Sequence, residues 1–150
     1  MASIINADTS NGLKLTSDTT GQLDFQSAGS TKATIDTAGN FKFDSGYGSV
    51  STAYGCRAWV NFNGTSTVAI RDSGNVSSIT DNGTGDYTVN FVIDMPDVNY
   101  AVVAATSRET VDYTGSVSPN VYTTSSIRFF VRNVSNNTTD ALYCNIGILR

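Results

Sequence analysis

The stretch GLKLTSDTTGQLDFQSAGSTKATIDTAGNFKF, residues 12–43, carries its apolar residues in pairs: Leu13 and Leu15, Leu23 and Phe25, Ala33 and Ile35, Phe41 and Phe43. One polar residue separates the members of each pair, so both side chains fall on the same face of an extended strand. The breaks SDTTG, SAGST and DTAGN are turn chemistry: Gly accepts positive φ, while Asp, Asn, Ser and Thr side chains bond to nearby backbone. Pairs begin ten, ten and eight residues apart, a weak repeat too short for a helical solenoid. Two apolar side chains per strand cannot close a core within one copy. Either these strands pack on the rest of the chain or they pack on copies of themselves. Self-association is the favoured reading, because a three-fold axis brings three equivalent side chains to each level. Leu13, Leu15, Leu23, Phe25, Ile35, Phe41 and Phe43 are then the expected trimer core.

Outside this stretch the 150-residue chain keeps to the same chemistry. Charged residues make up 15% and hydrophobic residues 39%, and polarity is supplied by Ser, Thr, Asn and Gly. Good helix formers are scarce while Val, Thr, Tyr, Phe and Ile are common, a balance that favours strands. From Tyr54 onward the runs lengthen: CRAWVNF, VAIRDSG, NVSSITD, DYTVNFVID, YAVVAATS, VYTTSS, IRFFVRN and ALYCNIGIL. Turn clusters roughly every ten residues between such runs are the pattern of a β-sandwich or jelly roll. DNGTGD, Asp81–Asp86, reads as a hairpin connection with glycines at positive φ. The fold class is therefore all-β: a short-stranded trimeric stem over residues 1–45, a Gly/Ser-rich linker over 46–54, and an antiparallel, jelly-roll-like sandwich over 55–150.

Charge and residue types narrow the function. A net charge of −4 and a pI near 4.5 argue against nucleic-acid binding. Arg128 and Arg132 read as strand residues facing solvent. The N-terminus has no basic region followed by an apolar run, which reads as no signal peptide, and no run is apolar and long enough to insert in a membrane as a helix. With no histidine, Ser–His–Asp and Cys–His catalysis are excluded, and a zinc site is not expected. Asp81, Asp86, Asp94 and Asp97 could supply the opposed carboxylates of a glycosidase, and Asp81 and Asp86 of DNGTGD could hold a calcium ion, but they sit where turns want aspartate. No enzyme activity and no cofactor are expected. Cys56, Ala58, Val60 and Phe62 fall on one strand face. If the first and last strands of the second half are neighbours, Cys56 and Cys144 could meet; the expectation is two small buried thiols without a needed disulfide. Trp59 alternates out of phase with that face and reads as an inter-subunit contact or a surface residue. Arg108–Ser126 reads as a long polar connection whose Tyr113 and Tyr122 are candidates for a binding contact, provided it lies on the end of the sandwich opposite the entry at Tyr54.

The repeats in 12–43 resemble the stem repeats of tailed-bacteriophage fibre proteins. YGCRAWVNFNGTSTVAIRDSGNVSSITDNGTGDYTVNFVIDMPDVNYAVV resembles C-terminal domains of such fibres, especially those of marine and cyanobacterial phages, with GDYTVNF, MP and NYAVV carrying the likeness. The resemblance implies a homotrimeric virion fibre assembled in a bacterial cytoplasm. It also implies attachment to other virion proteins through the N-terminus and a distal sandwich contacting a host-surface glycan or protein. Such fibres are often far longer, so tail tip, baseplate and head surface are all open as its place on the particle. The alternative is a purely structural decoration, baseplate or cement protein with no host ligand.

Overall fold

The computed structural model describes residues 21–46, 48–107 and 116–150. Every regular element among them is a β-strand. The chain divides into two compact units, Met1–Ala53 and Tyr54–Arg150. Leu13 and Leu15 of the expected trimer core lie outside the described residues.

The first unit is one antiparallel meander of β1 (Leu23–Ser27), β2 (Ser30–Ile35), β3 (Phe41–Phe43) and β4 (Ser51–Thr52). Ala28 and Gly29 both adopt positive φ, 50° and 74°, which gives the β1–β2 turn the twist a two-residue hairpin requires. At the next turn the Asp36 carboxylate accepts the backbone N–H groups of Ala38 and Asn40 at 3.0 and 2.9 Å. The Lys42 ammonium, 2.9 Å from the same carboxylate, holds Asp36 well below the usual carboxylate range, assisted by these bonds. β4 lies inside the stretch 46–54 read as a linker. Ser51 pairs with Phe43 and extends the sheet by one short strand.

The described residues of the second unit form an antiparallel sandwich of eight strands. One sheet is ordered β6 (Ala69–Gly74), β5 (Cys56–Asn63), β12 (Tyr143–Leu149), β9 (Ala101–Ser107). The other is ordered β10 (Ser116–Tyr122), β11 (Ser126–Arg132), β8 (Asp86–Phe91), β7 (Val76–Gly83). Alternate residues of the four central strands meet between the sheets: Val60 and Phe62, Ile146 and Ile148, Tyr87 and Val89, Phe129 and Val131. The rings of Phe62 and Tyr87 pack edge to face at 5.2 Å, which anchors one sheet to the other. Asn75, at φ 57°, carries the chain from β6 into β7 of the opposite sheet. Its side-chain amide donates to the carbonyls of Arg57 and Ile93 at 3.0 Å and accepts from the Ile93 N–H at 2.7 Å, tying that corner closed.

The far end is held by a polar knot. Tyr87, fully buried, sits within hydrogen-bond reach of both the Gly64 carbonyl and the Asp140 carboxylate, at 2.7 Å each. Burial and the neighbouring carboxylate push its phenol far above the ordinary tyrosine range, so it stays protonated as a donor. Asp140 also accepts the Gly85 N–H at 2.8 Å. Gly85 is at φ 64°, and a Cβ there would strike Thr139 and come within 2.7 Å of the Val131 carbonyl. The turn in DNGTGD is therefore glycine both for its backbone conformation and for this close approach.

Two expectations fail within the sandwich. β5 and β12 are neighbours, yet Cys144 stands opposite Phe62 while Cys56 stands opposite Leu149. Six residues at about 3.3 Å each place the thiols roughly 20 Å apart, and both are free. Cys144 is buried, whereas Cys56 is exposed because a bulge between Ile148 and Leu149 ends the regular alternation before it. The segment 108–126 is not one loop either. Ser116–Tyr122 forms β10, an edge strand on which Pro119 is accommodated beside a register shift.

Candidate functional site

Two surfaces stand out once the registers are known. The first is on the stem sheet. Leu23 pairs with Ile35 and Phe25 with Ala33; across the next ladder Ala33 meets Phe43 and Ile35 meets Phe41. All of these side chains therefore share one face. Phe25, Ile35, Phe41 and Phe43 are each between 40% and 50% exposed, and the rings of Phe41 and Phe43 stack in parallel at 6.4 Å. The opposite face is closed by its own polar chemistry. The Thr34 hydroxyl, buried, donates to Asp24 at 2.7 Å, and Lys32 pairs with Asp44 at 2.7 Å. That ammonium holds Asp44 below the ordinary carboxylate range. A sheet so divided is satisfied on one side, and its apolar side has no second layer among the described residues of its own unit.

The second surface is the outer face of the β6-β5-β12-β9 sheet. Reading across it, Gly74, Trp59, Gly147 and Val103 form one row. Asn61, Asn145 and Ala105 form the next. Trp59 thus has glycine on both sides. Its indole covers Gly74, where an added Cβ would collide with Nε1, and 42% of the residue remains exposed. On the other side the missing side chain of Gly147 leaves a trough between Trp59 and Val103, two strand spacings or about 9–10 Å apart. The trough encloses about 520 Å³ and continues over Asn61, Asn145 and Ala105.

The polar groups of this face are oriented by one cation. Arg71 lies 4.4 Å from the centroid of the Tyr143 ring and donates to the Leu142 carbonyl at 2.7 Å and to Asn61 Oδ1 at 3.3 Å. An arginine can only donate, so Asn61 must turn its oxygen to Arg71 and its NH₂ to Asn145. Asn61 Nδ2 indeed donates to Asn145 Oδ1. Asn145 then presents its own NH₂ outward, without a partner among the described residues. The outer face of the other sheet differs in kind. There Arg128 grips both oxygens of Asp86, which lowers that carboxyl below its ordinary value. Arg128 and Arg132 also flank the Phe130 ring at 5.8 and 5.1 Å. Asn90 donates to Ser78 Oγ and Thr80 Oγ1 at 3.0 Å each. The Trp59 face differs in leaving an aromatic plane partly exposed and the Asn145 NH₂ without a partner among the described residues.

Of the two tyrosines expected at a host contact, the described residues include only Tyr122. Tyr113 lies outside the described residues. Tyr122 ends β10, opposite Ile127, and its ring packs at 5.2 Å on Tyr100, whose hydroxyl lies within hydrogen-bond reach of the carbonyls of Thr123 and Ser126, at 3.0 Å each. Tyr100 precedes Ala101, which pairs with Leu149 beside Cys56. Tyr122 is therefore at the end where the chain enters the sandwich, contrary to the condition that made it a candidate. The seven residues of β10 span roughly 20 Å and carry the chain between the two ends.

The aspartates do not converge either. Asp86 is held by Arg128, Asp97 by Arg150, and Asp81 caps its own turn at the Gly83 N–H. No grouping of three or more potential metal ligands occurs among the described residues. Sequence reasoning singled out Trp59 but not Asn61, Asn145, Gly147 or Val103. The available signal was Gly147 at an outward position inside an alternating strand, where glycine often marks a close approach.

Comparison with family models, with curated proteins and with solved structures finds no match to this chain.

Proposed function

We propose that this chain is a homotrimeric fibre protein of a tailed-phage virion, with the first unit as the shared stem and the sandwich as the unit that makes the outward contact with the host surface. The observation that supports it most is the one-sided stem sheet. Fully burying a phenylalanine or isoleucine that is half exposed gains on the order of 1 kcal/mol or more per side chain. Three copies around an axis multiply that gain at every level. The trimer count and the virion setting come from the resemblance of the stem repeats and of the GDYTVNF, MP and NYAVV segments to phage fibres. The outer Trp59 face gives the sandwich a surface suited to contact.

Antibody labelling of the virions that carry this protein tests the reading. Label at the free end of a tail appendage is the expected result. Label spread over the capsid lattice replaces this function with that of a decoration protein, and absence from purified virions removes the virion assignment altogether.

A further inference from the structure

We infer that the trough between Trp59 and Val103 is a saccharide subsite that takes a single pyranose ring. This rests on reading the sandwich as the contact-making unit, and it names the ligand class and the residues. Three independent features converge on it. Trp59 offers a flat, partly open indole whose electron-rich face attracts the C–H groups on one side of a sugar ring. Gly147 removes the side chain that an alternating strand would otherwise place there, and this opens the space beside the indole. Arg71, through Asn61, forces Asn145 to aim a polarised NH₂ outward in the adjoining row, ready for a ring or hydroxyl oxygen. An apolar plane beside a fixed donor suits a molecule that has one C–H face and a rim of acceptors. It suits an apolar peptide less well, because such a peptide would leave the Asn145 NH₂ buried without a partner.

The glycine makes the inference open to a clean test. A Cβ at Gly147 would meet only the Val103 carbonyl at 3.8 Å, and the residue is not at positive φ, so Gly147→Val fits the strand while filling the trough. Trp59 is the only tryptophan in the chain, so tryptophan-selective fluorescence reports on this face alone. The full-length protein is titrated with methyl α-glucoside, methyl α-mannoside, methyl β-galactoside and N-acetylglucosamine, each to ~50 mM, because one ring on one platform is a site of about millimolar affinity. At least one of the four is expected to give a saturable change. Gly147→Val is expected to weaken it about tenfold or more, and Asn145→Ala to weaken it less, in keeping with one lost hydrogen bond.

Sedimentation of the same samples separates this inference from the fibre reading. A trimer that ignores all four sugars keeps the fibre and removes the subsite. A monomer that binds sugar keeps the subsite and removes the stem. Saturation unchanged in Gly147→Val overturns the site, as does a Gly147→Val protein of lower sedimenting mass, which would make this face a contact between copies of the chain.

Discussion

At the scale of single residues, the two cysteines show how local context separates identical side chains. Cys144 is buried in the sandwich core, and burial pushes its thiol up to about 12. The thiolate is the reactive form, so Cys144 is inert in the folded protein. Cys56 is exposed beyond the bulge, its sulfur 3.2 Å from the Ala58 carbonyl. Native protein at pH 8 should take up one equivalent of iodoacetamide, at Cys56, and a second only after denaturation; peptide mass analysis locates each. Two equivalents on the native protein would contradict the packing described for β12. The alternation of CRAWVNF correctly assigned Ala58, Val60 and Phe62 to the core. It failed at Cys56 because Arg57 is an extra residue of β5 against β12, a bulge that the run's own alternation does not reveal.

At the scale of elements, most strands were legible because their alternation is strict: the outward and inward positions of IRFFVR and YCNIGIL are those of β11 and β12. DNGTGD was readable as a hairpin for the same kind of reason, its glycines falling at φ 130° and 64°. β10 was missed because SVSPNVY has a proline at its centre and few apolar residues, and an edge strand can tolerate both. That omission made one supposed loop of a stretch that contains a strand, with Tyr122 at the strand's end. The stem pairs from Leu23 to Phe43 were read correctly as sharing one face, and the element-scale prediction rests on them. Phe25→Asp would set a carboxylate among Leu23, Ile35 and Phe43, repeated in every copy around the axis. Dissociation or aggregation at neutral pH is expected, measured by light scattering after size exclusion. Retention of the wild-type mass and melting temperature would show that Phe25 does not face the axis.

At the scale of the whole molecule, order of strands and pairing of faces were beyond sequence reading. Nothing in the runs themselves says that β12 lies between β5 and β9, or that Gly74, Trp59, Gly147 and Val103 form one row. The proposed saccharide trough is a product of that register, which is why only Trp59 of its members was noticed beforehand. The stem is the opposite case: the pairing of its apolar residues was already legible in the sequence, and the sheet sets them on one half-exposed face. A trimer would also present three troughs together, and such multivalency raises avidity by roughly 10²–10⁴ where the geometry permits simultaneous contact. The shared stem and the multivalent troughs both require a trimer. Sedimentation equilibrium of the purified full chain at micromolar concentration measures the oligomeric state directly. A single species at three times the 15.9 kDa chain mass is predicted, and a folded monomer of 15.9 kDa would contradict the shared stem.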